Sequence, residues 1–349
     1  MTSPDIATRK QRWRALYDQA DAAQYVFTIN LTTPELPRPL PWPSLQRERI
    51  AWSWETYCRQ RERVEWLPDD SLPYLDVFTG TEIFAEAFGC AVHRLEGNMP
   101  FAQPLITRAE EVAKIRVPEL STSSLARLFD IADALRERAG EAALVRLVDV
   151  QSPMDIAALI WDKSDFFVAM LEEPEAVNAL TRKVSQLLTA FLDAWFARYG
   201  RDFIAHYPAY YMADGLTLSE DEVGSVNQDT FDEFFLPELV MLSERYGGLG
   251  MHCCAHARHQ WEHFLRIPGL RTLNLVQPPE VLADAYHFFA PHVAQMHSSY
   301  GTGEPWNWPA QLPRAARVIF DLNAASRDEA LTLAARMREA CESAVHDRV

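Results

Sequence analysis

The chain is poor in cysteine and in positive charge, and it has no long apolar run. Each shortage excludes a class of protein. Five cysteines in 349 residues, scattered apart from one adjacent pair, do not make a disulfide scaffold. No uninterrupted apolar stretch approaches the ~20 residues that a bilayer-spanning helix needs. Lys and Arg number 33 against 49 Asp and Glu, a net charge of −16. Such a surface repels phosphate backbones and anionic lipid, which excludes nucleic acid and membranes as partners. Met1-Thr2-Ser3-Pro4-Asp5 has neither the basic nor the apolar region of a secretory signal. The expectation is a reduced, cytoplasmic protein that acts on a small molecule, with its oligomeric state open.

Strand and helix patterns alternate along nearly the whole length. Apolar runs suited to buried strands are Tyr25–Ile29, Pro73–Phe78, Ala143–Val148, Phe203–Met212, Gly248–His252, Thr272–Val276, Val293–His297 and Arg317–Phe320. Between them lie helical stripes with start and stop signals. Ser121–Ser124 opens one that Gly140 closes, and Glu173-Pro174 opens the longest, ending at Gly200. Phe231–Tyr246 is closed by Gly247-Gly248, Pro278-Pro279 opens the next, and a last helix runs from Ser326, with Glu329 in capping-box position, to about Val345. Pro34–Pro43 holds five prolines and reads as extended loop. Eight strand–helix units predict a parallel sheet closed into a (β/α)8 TIM barrel, an α/β fold. The expected organisation is one domain over 1–349, with residues 1–70 forming an N-terminal helical and loop extension and the first strand.

The segment Gly250-Met251-His252-Cys253-Cys254-Ala255-His256 carries the strongest chemical signal. Thiolate and neutral imidazole are the ligands that zinc selects. On a strand, side chains alternate, so His252 and Cys254 point one way and Cys253 the other. His-x-Cys at a strand end is then a two-donor claw, set against the plainer reading of small buried hydrophobes and a core histidine. His297, at the matching point two strands later, offers a third donor, with Asp214 and Glu222 next. His256, His259 and His263 fall at helical spacings but suit a solvated helix face equally well. Cys341, deep in the last helix, reads as a buried hydrophobe.

In a barrel of this kind the active site forms where strands end. The polar residues at those ends are Thr79, Asp149, Gln151, Asp214, His252, Cys254, Asn274, Gln277, His297 and Asn323. Asp149, in Val148-Asp149-Val150-Gln151, needs a partner or a function, because an unpaired buried carboxylate costs several kcal/mol, on the order estimated for buried charge. Trp306-Asn307-Trp308 and Tyr207–Tyr211 are placed to wall a pocket or to pack the core.

Four segments carry a family likeness: Phe78-Thr79-Gly80-Thr81-Glu82 leading to Gly89-Cys90; Asp149–Asp155 followed by Leu171–Glu175; Ala213-Asp214-Gly215 through Leu236-Pro237; and His252-Cys253-Cys254. Over roughly 70–345 the chain resembles the uroporphyrinogen decarboxylase-like superfamily, which also holds zinc-dependent, corrinoid-linked methyltransferases. The resemblance implies a TIM barrel and one of two chemistries. True uroporphyrinogen decarboxylases use no metal and carry an aspartate where this chain has Phe78-Thr79-Gly80-Thr81. They also carry an arginine-rich N-terminal signature that is absent here. In the methyltransferase branch zinc is held by His-x-Cys and by a cysteine near the last strand; His252 and Cys254 match, but Phe320-Asp321-Leu322-Asn323-Ala324 has no cysteine.

The expectation is therefore a zinc-dependent methyltransferase-like enzyme moving a methyl group between a corrinoid and a thiol or other small nucleophile. The corrinoid (methylcobalamin) would arrive on a partner protein, since the chain shows no cobalamin-binding motif. His252, Cys254 and His297 are expected to hold the metal, Asp214, Asp149 and Asn323 to be catalytic, and Gln151, Asn274 and Gln277 to bind cofactor. The alternatives are a metal-independent decarboxylase or lyase and a non-catalytic tetrapyrrole- or corrinoid-binding barrel.

Overall fold

A computed structural model describes residues 4–18, 25–32 and 37–346. The strands that build the barrel are β1 (Tyr25–Leu31), β2 (Tyr74–Leu75), β3 (Leu144–Arg146), β4 (Asp202–Ile204), β5 (Tyr211–Ala213), β6 (Leu216–Ser219), β7 (Leu249–Cys253), β8 (Leu270–Leu275), β9 (Ala294–Gln295) and β10 (Arg317–Ala324). One sheet runs β1-β10-β9-β8-β7-β6, parallel throughout. The other runs β2-β3-β4-β5, with only β5 antiparallel. A parallel bridge between Gln151 and Ser219 joins them. The result is a (β/α)8 barrel whose fourth position is split. There the chain rises as β4, folds down as β5 and rises again as β6.

That split corrects the expectation of one strand over Phe203–Met212. His206-Tyr207-Pro208 turns the chain at the C-terminal mouth, and Asp214-Gly215 turns it back at the opposite face. Close packing at the split position requires Gly250, because a Cβ there would run into the Tyr210 hydroxyl.

The second seam, between β1 and β2, is closed by side chains rather than by a ladder. Asp70 Oδ2 accepts from the Phe27 amide at 3.1 Å, and Asp69 Oδ2 accepts from the Ile29 amide at 2.9 Å. Both aspartates are fully buried. Arg9 donates to Asp69 at 2.6 Å, while Arg12 and Arg338 each reach Asp70 at 2.9 Å. The carboxylates thus satisfy edge amides that would otherwise be orphaned, and three guanidinium groups compensate them.

The helices follow the sequence pattern closely. The longest, Pro174–Tyr199, buries Val177, Leu180, Val184, Leu187, Leu188 and Phe191, and ends at Gly200 with φ 88°. Each of these side chains gains about 1.5–3 kcal/mol from burial. The last helix, Arg327–His346, packs on β10 through Ala330, Leu333, Ala334 and Met337 against Val318, Phe320 and Leu322. On β10, Ile319 therefore faces inward, and so do Asp321 and Asn323, which are exposed. The barrel is packed at its base and open and polar at its mouth. The described part of the proline-rich stretch, residues 37–42, is irregular, as expected.

Candidate metal centre

On β7 the alternation expected for a strand holds. Leu249, Met251 and Cys253 pack into the apolar wall, and Cys253 is fully buried. His252 has the opposite parity, and Cys254, just past the strand, is exposed. His252 Nδ1 lies 2.5 Å from Asn274 Oδ1, and the Asn274 amide nitrogen donates to the Met296 carbonyl. That second bond fixes the amide's orientation, so Oδ1 must accept and Nδ1 must carry the proton. The Nε2 lone pair of His252 is left free. The Tyr207 ring stands edge-on to this imidazole, centroids 4.9 Å apart.

The third donor comes from the loop after β6. The Asp221 and Glu222 amides donate to Asp155 Oδ2 and Oδ1 at 2.8 and 3.0 Å. Asp155 itself sits in the first turn of Pro153–Ile160, where Ser152 caps its amide. The loop so fixed presents Asp221, whose Oδ1 accepts from the Cys254 amide at 2.6 Å. The donor atoms of Asp221, His252 and Cys254 all lie within 4.8 Å of one another. Tetrahedral zinc with bonds of ~2.0–2.3 Å holds its donors roughly 3.3–3.8 Å apart. A carboxylate, an imidazole and a thiol at this spacing fit such an ion after a small inward movement.

The electrostatics also suit a cation. Burial, with the Asp221 carboxylate adding, pushes the Cys254 thiol up to about 12. A divalent ion reverses that sign and stabilises the thiolate. Behind the loop, burial raises the fully enclosed Glu220 carboxyl well above its usual range, the charge of Asp155 adding. Asp155 is the member accepting two backbone amides, so Glu220 holds the proton of the pair. Across the mouth, burial raises Asp149 to about 7, against the pull of Arg146. Its carboxylate lies 3.5 Å from His206 Nε2. Burial and Arg146 keep that imidazole neutral.

The uroporphyrinogen decarboxylase (URO-D) family profile matches residues 74–275, more than half of the 349. The chain belongs to the uroporphyrinogen decarboxylase family. A search of curated proteins returned no match. Among solved structures, a methyltransferase from Methanosarcina mazei is similar, with 12% identity and a TM-score of 0.63 over 96% of this chain and 98% of that one. At that identity the likeness speaks for the fold.

In this uroporphyrinogen decarboxylase family member several expected site residues are placed differently. His297 is not beside the donor set. It shares a side of its strand with Gln295, which donates to Tyr286 of the covering helix Pro279–Phe289. Its Nδ1 accepts from the Leu275 amide at 3.1 Å and its Nε2 donates to Gln295 Oε1 at 2.9 Å, so both nitrogens are taken. Asp214 sits in the turn between β5 and β6, at the face opposite the mouth, with φ 56° and Arg201 at 3.4 Å. Its expected catalytic role is corrected by the hairpin: the residue following that apolar run is at the wrong end of the barrel. Glu222 is paired with Lys163 at 2.6 Å. His259 and His263 bond to the Val226 carbonyl and to Asp232, on short separate turns rather than one helix face.

The other candidates do stand at the mouth. Gln277 braces the metal loop, donating to the Cys254 and Ala255 carbonyls at 3.0 and 2.9 Å, Asn274 orients His252. Gln151 is buried with Oε1 unpartnered among the described residues, and Asn323 faces the open lumen. The residue that sequence reading missed is Asp221. Its only signal is the alternating Leu216-Thr217-Leu218-Ser219 ahead of Glu220-Asp221-Glu222.

Proposed function

We propose that this protein is a zinc-dependent methyltransferase-like enzyme that moves a methyl group between a corrinoid and a thiol or other small nucleophile. The observation that carries the reading is the convergence of Asp221, His252 and Cys254, with Asn274 committing His252 to present Nε2. The family and the fold of the methyltransferase from Methanosarcina mazei support it.

A zinc ion there would supply a Lewis acid that makes a bound thiol or similar acceptor nucleophilic at neutral pH. The chain's own residues do the rest. Asp155 holds the loop so that Asp221 faces His252, and the Cys254 amide occupies Asp221 Oδ1, leaving Oδ2 for the cation. Three protein donors leave a fourth position open toward the lumen. Asp149, balanced near neutrality, is the group to receive the proton that an acceptor loses, with His206 beside it. Two anionic donors and a neutral imidazole leave a divalent ion formally uncompensated by nothing, the same net charge as two thiolates and one imidazole. Aspartate thus replaces the missing last-strand cysteine in charge, though not in softness.

The corrinoid would come from a separate protein. The test is methyl transfer from methylcobalamin to a small thiol by the zinc-loaded protein, followed as loss of the alkylated corrinoid's absorbance. Turnover that disappears in Cys254→Ser supports the reading; equal turnover in wild type and Cys254→Ser contradicts it.

A further inference from the structure

The unpaired seam between β1 and β2 opens into a second compartment. A cavity of about 700 Å³ lies there beneath the helix Gln46–Trp66. That volume is in the range of small-molecule sites. Four arginines line it, Arg38, Arg59, Arg63 and Arg146, against the carboxylates of Glu62 and Asp76. In a chain of net charge −16 this is a local reversal of sign.

Two of the arginines are already compensated. Arg146 is paired with Asp76 at 2.8 Å, and Arg59 with Glu55 at 3.0 Å. Arg38 and Arg63 are not: neither forms a salt bridge or side-chain hydrogen bond with a described residue. Arg63 Nε is buried without a partner. The Arg38 guanidinium lies over the Phe78 ring, 3.7 Å from its centroid, which leaves its N–H edge free. The nearby carboxylate of Asp321 is held instead by Thr28 and Asn30 at 2.9 and 2.8 Å. Two forked donors with no internal acceptor suit a carboxylate, which guanidinium binds through paired N–H···O bonds. Trp52, Trp66 and Tyr74 line the same cavity and favour a flat apolar body.

We infer that the seam cavity binds a planar carboxylate, an aromatic acid gripped by Arg38 and Arg63. The inference is independent of the metal reading, although one loop touches both sites. Arg146 donates to the Ala205 carbonyl at 3.2 Å and to that of His206, and the next residue, Tyr207, meets His252.

The test is calorimetric titration of the full chain with 1-naphthoate, its neutral carboxamide and inorganic phosphate. The chain binds one naphthoate, and the carboxamide and phosphate each bind at least about ten-fold more weakly, as expected for loss of one charge-assisted pair or of the flat body. Arg63→Gln weakens naphthoate about ten-fold, Arg63→Lys recovers part of it, and Cys254→Ser leaves it unchanged. Arg38→Gln, on a surface loop, guards against a folding artefact and also weakens binding. Equal affinity for acid and carboxamide, phosphate binding as tightly as naphthoate, or wild-type affinity in both Gln variants overturns the inference.

Discussion

Asn274 sets the chemistry of His252 from the neighbouring strand. Its Oδ1 lies 2.5 Å from His252 Nδ1, and its amide nitrogen is committed to Met296, so the imidazole has one tautomer available. Outer-shell partners of this kind commonly govern metal affinity by about 10–100-fold. Asn274→Ala is therefore expected to weaken zinc binding by about that factor, measured by competition with a chromophoric chelator. Affinity equal to wild type would mean that Asn274 serves packing alone.

The two adjacent cysteines separate by parity. Cys254→Ser and Asp221→Asn should remove most of the metal, whereas Cys253→Ser and His297→Ala should leave the content of the folded protein unchanged. Elemental analysis of the four variants checks this. Loss of metal in Cys253→Ser would show the strand register to be wrong by one residue.

Metal binding should release a proton. With the Cys254 thiol pushed up to about 12, the metal-free site is protonated at neutral pH while the metal-bound site holds a thiolate. Apparent zinc affinity should then rise about ten-fold per pH unit between roughly pH 7.5 and 8.5. A flat profile would exclude Cys254 as a ligand.

His297 should govern part of the acid sensitivity. Burial lowers it from its usual 6.5 to about 3, so the unfolded chain binds a proton that the folded chain refuses between those values. Stability contributed by the neutral imidazole is present above pH 6.5 and is lost as pH falls toward 3, at up to about 1.4 kcal/mol per unit. Asp149 and Asp155, raised to about 7, act in the opposite direction, so the comparison must be with His297→Gln. That variant should lose less stability than wild type between pH 6.5 and 4.5 in urea titrations; parallel curves would contradict the assignment.

The carboxylate seam makes a separate prediction. Asp70→Ala strands Arg338 and the Phe27 amide, and should cost about 3–5 kcal/mol, as breaking a buried ion pair does. A loss below about 1 kcal/mol, the scale of a surface pair, would show that the seam is not held this way.

Much of this was legible in the sequence wherever one element decides the matter. The parity of His252, Cys253 and Cys254 follows from a single strand, and the helix ends at Gly140, Gly200 and Gly247 follow from local backbone chemistry. What depended on pairing between elements was not legible. Asp221 reaches the site because β6 lies beside β7, and β6 is a four-residue strand hidden behind a hairpin. Asp214 reads as a strand end until that hairpin turns it to the other face. His297 lies at the expected height, but its strand is two residues long and presents that side to a helix, a parity that no alternation in so short a run reveals.

The most direct test of the central claim is zinc K-edge X-ray absorption on the protein purified without chelator. The account predicts one zinc per chain with a single sulfur at ~2.3 Å and nitrogen and oxygen ligands at ~2.0–2.2 Å. Two sulfurs would mean that Cys253 joins Cys254, and no sulfur would place the metal elsewhere; either result contradicts a centre built from Asp221, His252 and Cys254.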